Sequence, residues 1–368
     1  MKNNYLFLAL ILILPISITA QYEFTPEVQV ACSDVKSQGK TGTCWSFSTI
    51  SFLESELLRI NQKPQDLSEM FIVRNTYKDK AQNYILRQGK ANYSEGSLSH
   101  DVMRAYKKHG IVPEYVYSGK VHPDSSHDHR QLVSSTKKVL DEWMNSEDKV
   151  GNWREDYEGA LSEYLSETPD DFVYLDKQYT PTTYAGSLGI NPDDYVTLSS
   201  YTHHPFYESF ILEIPDNYSN GSYINIPMGE LMTVIDHALT SGYTIAWDGD
   251  VSEKSFSARS GIAVLPTDVM REDLFDQPGE ELEVTQELRQ ETFENYKTTD
   301  DHLMHLVGIA KDQNNTKYYI TKNSWGEISD FNGYLMMSEA FVKLKTVGIM
   351  VHKESVPDSL VDKFRDVN

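Results

Sequence analysis

The chain has 368 residues, with 55 acidic against 33 basic side chains and a formal net charge of −22. So large an acidic excess argues against nucleic acid and anionic membrane as partners and favours a well-solvated surface. Two cysteines exclude a disulfide scaffold, although a Cys32–Cys44 bridge is arithmetically open.

Residues 1–20, "MKNNYLFLALILILPISITA", hold one lysine, an apolar run from Tyr5 to Leu14, then Pro15 and the small Ala20. This order predicts a cleaved secretory signal peptide. The apolar run is short for a membrane span. The expected product is residues 21–368, secreted or periplasmic, with no membrane contact after cleavage. Sequons at Asn92, Asn217, Asn220 and Asn314 matter only in a host that glycosylates. The length left after cleavage exceeds a typical single core, so one large or two interlocked lobes are expected.

The spacing of Phe47, Ile50, Leu53 and Leu57 predicts a helix over 44–60, preceded by breaks at Gly39 and Gly42. A second helix fits 97–110, with Gly110 as its stop. Residues from about 120 to 190 read as a helical insertion, with periodicity in "RQLVSSTKKVLDEWM" and "YEGALSEYL". From about Tyr195 the texture changes. "YINIP", "YTIAWDGD" and "SGIAVLP" suggest short strands, and "LMTVIDHALTSG" a helix between them. Residues 267–299 are acidic, helical or looped. Two strand-like runs, 302–310 and 317–325, follow.

Chemistry concentrates around "QGKTGTCWSFS" (38–48). Cys44 opens a predicted helix, where unpaired backbone N–H groups and the dipole favour a thiolate. Gly42 permits close backbone approach, and Trp45 can close one side of a cleft. Gln38 offers a side-chain N–H beside the Cys44 N–H for a developing oxyanion. Cys32, by contrast, reads as a small buried hydrophobe. A nucleophilic thiol needs a base, and the base needs an orienting group. His302 supplies the first and Asn323 of "KNSWG" the second, with Trp325 sheltering their hydrogen bond.

These segments resemble the three signatures of papain-like cysteine peptidases: "QGKTGTCWSFS", "DHLMHLVGI" and "KNSWGE". The closer likeness is to the bleomycin hydrolase and aminopeptidase C branch. It is carried by "LGINPDDYVTLSSY", "INIPMGELMTVIDHALTSGYTIAWDGDVSE", "DDHLMHLVGIAKD" and "NGYLMMSEAFVKLKTVGIMVHKESVP", in that order. The resemblance implies an α+β, papain-like two-lobed fold, a helical lobe plus an antiparallel β-barrel-like lobe, with the helical insertion. It implies a catalytic set of Cys44, His302, Asn323 and Gln38. Trp45, Trp325, Gly96 and Ser97 would bind substrate, the last two through the glycine-containing segment "EGSLSHDVMRAYKKHGIVPE". The family's histidine stands six residues before a glycine, which selects His302 before Gly308. Strand parity turns His305 to the other face.

Implied partners are peptide substrates, with no cofactor and no metal. His122, His127 and His129 fit no standard metal spacing, and His203-His204 reads as surface. Asp248 and Asp250 are ordinary turn chemistry, in a loop that the resemblance places near the cleft. Only 23 residues separate Gln21 from Cys44, too few for a long inhibitory pro-segment. The branch carries a C-terminal arm whose terminal carboxylate meets the substrate's amino group. Here "KESVPDSLVDKFRDVN" reads as a truncated arm. The expected activity is therefore an aminopeptidase of the bleomycin hydrolase type. The alternatives are an open-cleft endopeptidase and a non-catalytic peptide-binding protein of the same fold. A homo-oligomer stays open, although the parts that build the family's hexameric ring are reduced.

Overall fold

The computed structural model describes residues 21–149 and 151–364. The predicted signal segment lies outside them. Strand β1 (Thr25–Gln29) leads into α1 (Cys44–Arg59), α2 (Glu69–Leu86) and α3 (Ser99–His109). Every residue of α1 from Cys44 to Leu57 is buried, so the helix runs through the interior and not along a surface. Most of its small polar side chains are placed on a partner, Ser55 Oγ being the exception. Ser46 Oγ donates to the Glu69 carbonyl (2.9 Å) and Ser48 Oγ to the Met304 carbonyl (2.7 Å). Buried hydroxyls without such acceptors would be costly.

Helix α2 has no sequence signature of an amphipathic stripe, because it too is buried nearly all round, polar residues included. Arg74 donates to the Leu165 carbonyl (2.6 Å) and pairs with Glu158 (2.7 Å). Lys80 Nζ donates to the Ser94 carbonyl (2.9 Å).

Next come α4 (Leu132–Asn145), α5 (Trp153–Ser162), a hairpin of β2 (Phe172–Tyr174) and β3 (Lys177–Tyr179), and α6 (Pro181–Leu188). The expected insertion is thus not wholly helical. Nor is it a separate body: Leu140, Trp153, Tyr157, Leu161 and Tyr184 belong to one core with Trp45, Phe52 and Val102.

The second lobe begins where the texture changes, at β4 (Tyr195–Ser199). It continues through β5 (Ser209–Ile211), β6 (Ser222–Asn225), α7 (Met228–Thr240), β7 (Ile245–Gly249), β8 (Phe256–Ser257), β9 (Ile262–Ala263) and α8 (Gln286–Glu294). Strands β10 (His302–Lys311), β11 (Lys317–Lys322) and β12 (Tyr334–Ser338) follow, then α9 (Glu339–Lys345), β13 (Thr346–His352) and α10 (Asp358–Phe364). The sheet order is β5-β6-β4-β13-β7-β10-β11-β12-β9-β8, with β1 added to β10. All these pairings are antiparallel except β4 with β6 and β9 with β12.

The central strands are covered on both faces. Trp247, Met304 and Ile349 enter the sheet lobe's own core with Ile235 and Leu239 of α7. Ala246, Leu303 and Met350 point the other way, into the core of the helical lobe. Two-sided burial explains why β10 reads as a continuous apolar run and not as an alternation. This shared sheet sets the N-terminus of α1 against the start of β10. At the chain's far end, Leu360 of α10 joins the sheet-lobe core and Lys363 pairs with Glu230 at 2.6 Å. Among the described residues no helix is long and apolar enough to cross a membrane.

Candidate active site

Cys44 is the first residue of α1 and is 8% exposed. Both cysteines are free thiols, so no Cys32–Cys44 bridge forms. Cys32 lies apart, its Sγ 3.3 Å from the Tyr334 hydroxyl. The loop before Cys44 is pinned to the segment after β11. The Gln38 N–H donates to the Ser324 carbonyl (2.8 Å), and Ser37 and Trp325 form a β-bridge. Ser324 Oγ donates to Gln38 Oε1 (2.6 Å), which fixes the amide's orientation. One Nε2 hydrogen then goes to the Thr41 carbonyl (2.6 Å), and the second is left for an oxyanion.

Strands β10 and β11 pair with His305 opposite Lys322. Extending that register sets Asn323 within reach of His302. Asn323 Oδ1 lies 2.8 Å from His302 Nε2 and also accepts from the Ser324 N–H at 2.7 Å. An atom that accepts from a backbone N–H is the carbonyl oxygen, so Nε2 carries the ring proton and Nδ1 the lone pair. The Trp325 ring, 36% exposed, lies over the imidazole with centroids 4.6 Å apart. The backbone of Leu303, the residue after His302, faces the Cys44 thiol and favours its ionised form. Thiol, ring and amide therefore share one buried junction between the lobes.

Burial disfavours either charge by itself. It pushes the Cys44 thiol up to about 12, and nearby Asp300, Asp248 and Asp216 add to the rise. It draws His302 down to about 4, against the Asn323 hydrogen bond, which raises it. A lone thiolate or a lone imidazolium is thus not the resting form. A proton passed from sulfur to ring would ionise both groups together. The helix N-terminus and the Leu303 contact then favour the thiolate, and Asn323 the imidazolium.

Several expected roles differ. Trp45 does not wall a cleft: it is fully buried, and its indole N–H donates to the Glu95 carbonyl at 3.0 Å. Its place is to hold the Glu95–Gly96 segment against α1. Ser97 is turned inward, its Oγ donating to Asp101 Oδ2 at 2.8 Å where α3 begins, so its side chain is unavailable to substrate. Gly42 approaches Glu95: its N–H donates to that carboxylate (2.6 Å), and an added Cβ would stand 2.9 Å from Glu95 Cβ. Gly96 is partly buried, with its carbonyl accepting from Lys80 Nζ. His305 faces away from Asn323 and meets Ser51 Oγ at 2.8 Å, next to Lys322.

Among the described residues, His203, His204 and Glu213 have ligand atoms that all lie within 4.8 Å of one another. Glu213 already contacts both imidazoles, at 3.2 and 2.7 Å, so hydrogen bonding accounts for the arrangement. His122, His127 and His129 form no such group.

Comparison with known proteins agrees with this geometry. Residues 163–367 match the sequence profile described as the Peptidase C1-like family, and residues 21–180 match that of papain family cysteine proteases. Aminopeptidase G of Lactobacillus delbrueckii subsp. lactis is 23% identical over 372 residues, covering 89% of this chain and 82% of that protein. Aminopeptidase C of Listeria monocytogenes is 23% identical, covering 91% and 84%. In fold, the chain is similar to the crystal structure of pepw from Lactobacillus rhamnosis. The TM-score is 0.75 at 20% identity, over 93% of this chain and 85% of that one.

Proposed function

The chain belongs to the Peptidase C1-like family, a family of cysteine peptidases, and on that premise we propose that it is an aminopeptidase acting through Cys44. The observation that carries the chemistry is the His302 Nε2–Asn323 Oδ1 hydrogen bond at 2.8 Å. It leaves the Nδ1 lone pair to take the thiol proton. Cys44 Sγ then attacks the peptide carbonyl, and the remaining Gln38 N–H and the Cys44 backbone N–H receive the oxyanion. The ring gives its proton to the leaving amine. Water, deprotonated by the same ring, hydrolyses the thioester.

The restriction to free N-termini is supported by the relatives' names, aminopeptidases G, W and C. Export is supported by the lysine, apolar run and small residue of segment 1–20. The specificity is tested with one peptide offered N-terminally free and N-acetylated, under reducing conditions. The expected result is stepwise release of residues from the free form, with the acetylated form intact. Internal cleavage of both forms would make the protein an endopeptidase with an open cleft. Silence on several peptides would leave a peptide-binding protein.

A further inference from the structure

Three carboxylates meet beside the Cys44–His302 junction without a cation to pair them. Asp248 on β7 stands opposite Leu303 on β10. Cross-strand neighbours share a face, so Asp248 points with Leu303 toward the helical lobe. Asp300 lies two residues before His302. Asp216 comes from the other side: a Cβ added to Gly96 would fall 1.6 Å from its Oδ2.

Asp248 is 3% exposed, and neither of its oxygens accepts from any N–H or hydroxyl group. Asp300 Oδ2 is likewise without a donor. Among the described residues neither acid forms an ion pair. The nearby cations make their hydrogen bonds and ion pairs elsewhere: Lys80 with the Ser94 and Gly96 carbonyls, although its charge still reaches Asp216 and Asp300, Lys345 with Asp250 and Glu253, and Arg289 through Nε and Nη1 with the Ser200 and Lys343 carbonyls, its Nη2 having no acceptor. Burial and Asp300 push Asp248 well above the usual carboxylate range, and Asp300 itself rises to about 7.

Asp248 and Asp300 hydrogen-bond to each other, one carboxyl keeping its proton, and the charge that this pair carries is costly to keep buried without a cation. Asp300 also lines a cleft of about 540 Å³ with Ile214, Pro215, Thr299, His203, Glu213 and Glu294. The three acids are not a metal cage, since their oxygens are not grouped within 4.8 Å as those of His203, His204 and Glu213 are.

We propose that Asp248 and Asp300, with Asp216, form a subsite for a substrate ammonium group beside Cys44. This rests on the peptidase reading above. The ammonium is supplied by a peptide's free N-terminus or by a lysine side chain, and both present the same charge and donors.

Three peptides distinguish the sources: one with a free N-terminus, its N-acetylated neutral counterpart, and an N-acetylated form with lysine at the terminal position. Wild type is expected to favour a cationic peptide over the neutral acetylated one by about 10- to 100-fold in kcat/KM, as fits a charge-assisted contact. Asp248→Asn and Asp300→Asn are expected to bring that ratio toward one, mainly through KM. Folding of each variant is checked by its melting temperature and by the alkylation rate of Cys44. A preference confined to the free N-terminus and lost in the variants assigns the α-ammonium. A preference shared by the acetylated lysine peptide keeps the subsite but removes the aminopeptidase reading. A wild-type enzyme indifferent to both cations overturns the subsite. So does a free-terminus preference that survives in both folded variants, which would leave the aminopeptidase reading standing.

Discussion

Replacing Cys44 with alanine is expected to lower peptide turnover by about 10⁶-fold, to the level of background hydrolysis, when initial rates are compared at equal protein concentration. The size follows from the role. No other group at the junction can form the covalent intermediate, and the remaining hydrogen bonds supply only what positioning supplies. The fold is expected to survive. The change removes one sulfur from a small buried site, a loss of about 1 kcal/mol by analogy with small core truncations. Cys32→Ala serves as the control and is expected to keep turnover near wild type, because Cys32 contacts Tyr334 and no catalytic residue. Comparable loss in both variants, or turnover surviving in Cys44→Ala, contradicts the assignment.

The second large effect separates two histidines three residues apart. His302→Ala is expected to cost about 10⁴- to 10⁶-fold in kcat. His305→Ala is expected to act on stability, by about 1–3 kcal/mol, because it leaves Ser51 without its 2.8 Å partner in the buried Lys322 network. Thermal denaturation beside single-turnover rates separates the two outcomes.

The pH profile adds a sign. Burial lowers His302 to about 4, so the neutral ring able to take a proton persists down to that pH. In wild type, kcat/KM is expected to rise with pH through about 4 and to have no acid limb near 6.5. The same shift lowers stability on acidification. Between about 6.5 and about 4 the unfolded chain binds the proton more readily, so this group's contribution is lost as pH falls through that window.

Local patterns made part of this legible. The small-residue approach to Cys44, the parity that separates His302 from His305, and the Asn-Ser-Trp run after a strand are all readable within a dozen residues. The two-lobed architecture came through resemblance and through the change of texture at Tyr195. What escaped depends on distant packing. Trp45 next to a reactive thiol looks like a cleft wall, but the Glu95 segment fifty residues on encloses it. Ser97 looks like a substrate contact until α3 starts and Asp101 claims its hydroxyl. Helix α2 hides because burial on all sides erases the amphipathic period. The acidic subsite hides for a similar reason: Asp248 reads as turn chemistry, and only the register of β7 on β10 carries it to the thiol. The one local hint was a carboxylate closing the apolar run "YTIAW".

The central claim, that Cys44 is the nucleophile activated by His302, is tested most directly by peptide mapping. The protein is incubated with an N-terminally free peptidyl chloromethyl ketone, which alkylates a thiolate held in a substrate site. One adduct per chain, on Cys44, absent from Cys32 and slowed by orders of magnitude in His302→Ala, is the predicted result. An adduct on Cys32, or continuing peptide turnover by a protein whose Cys44 is fully alkylated, would contradict it.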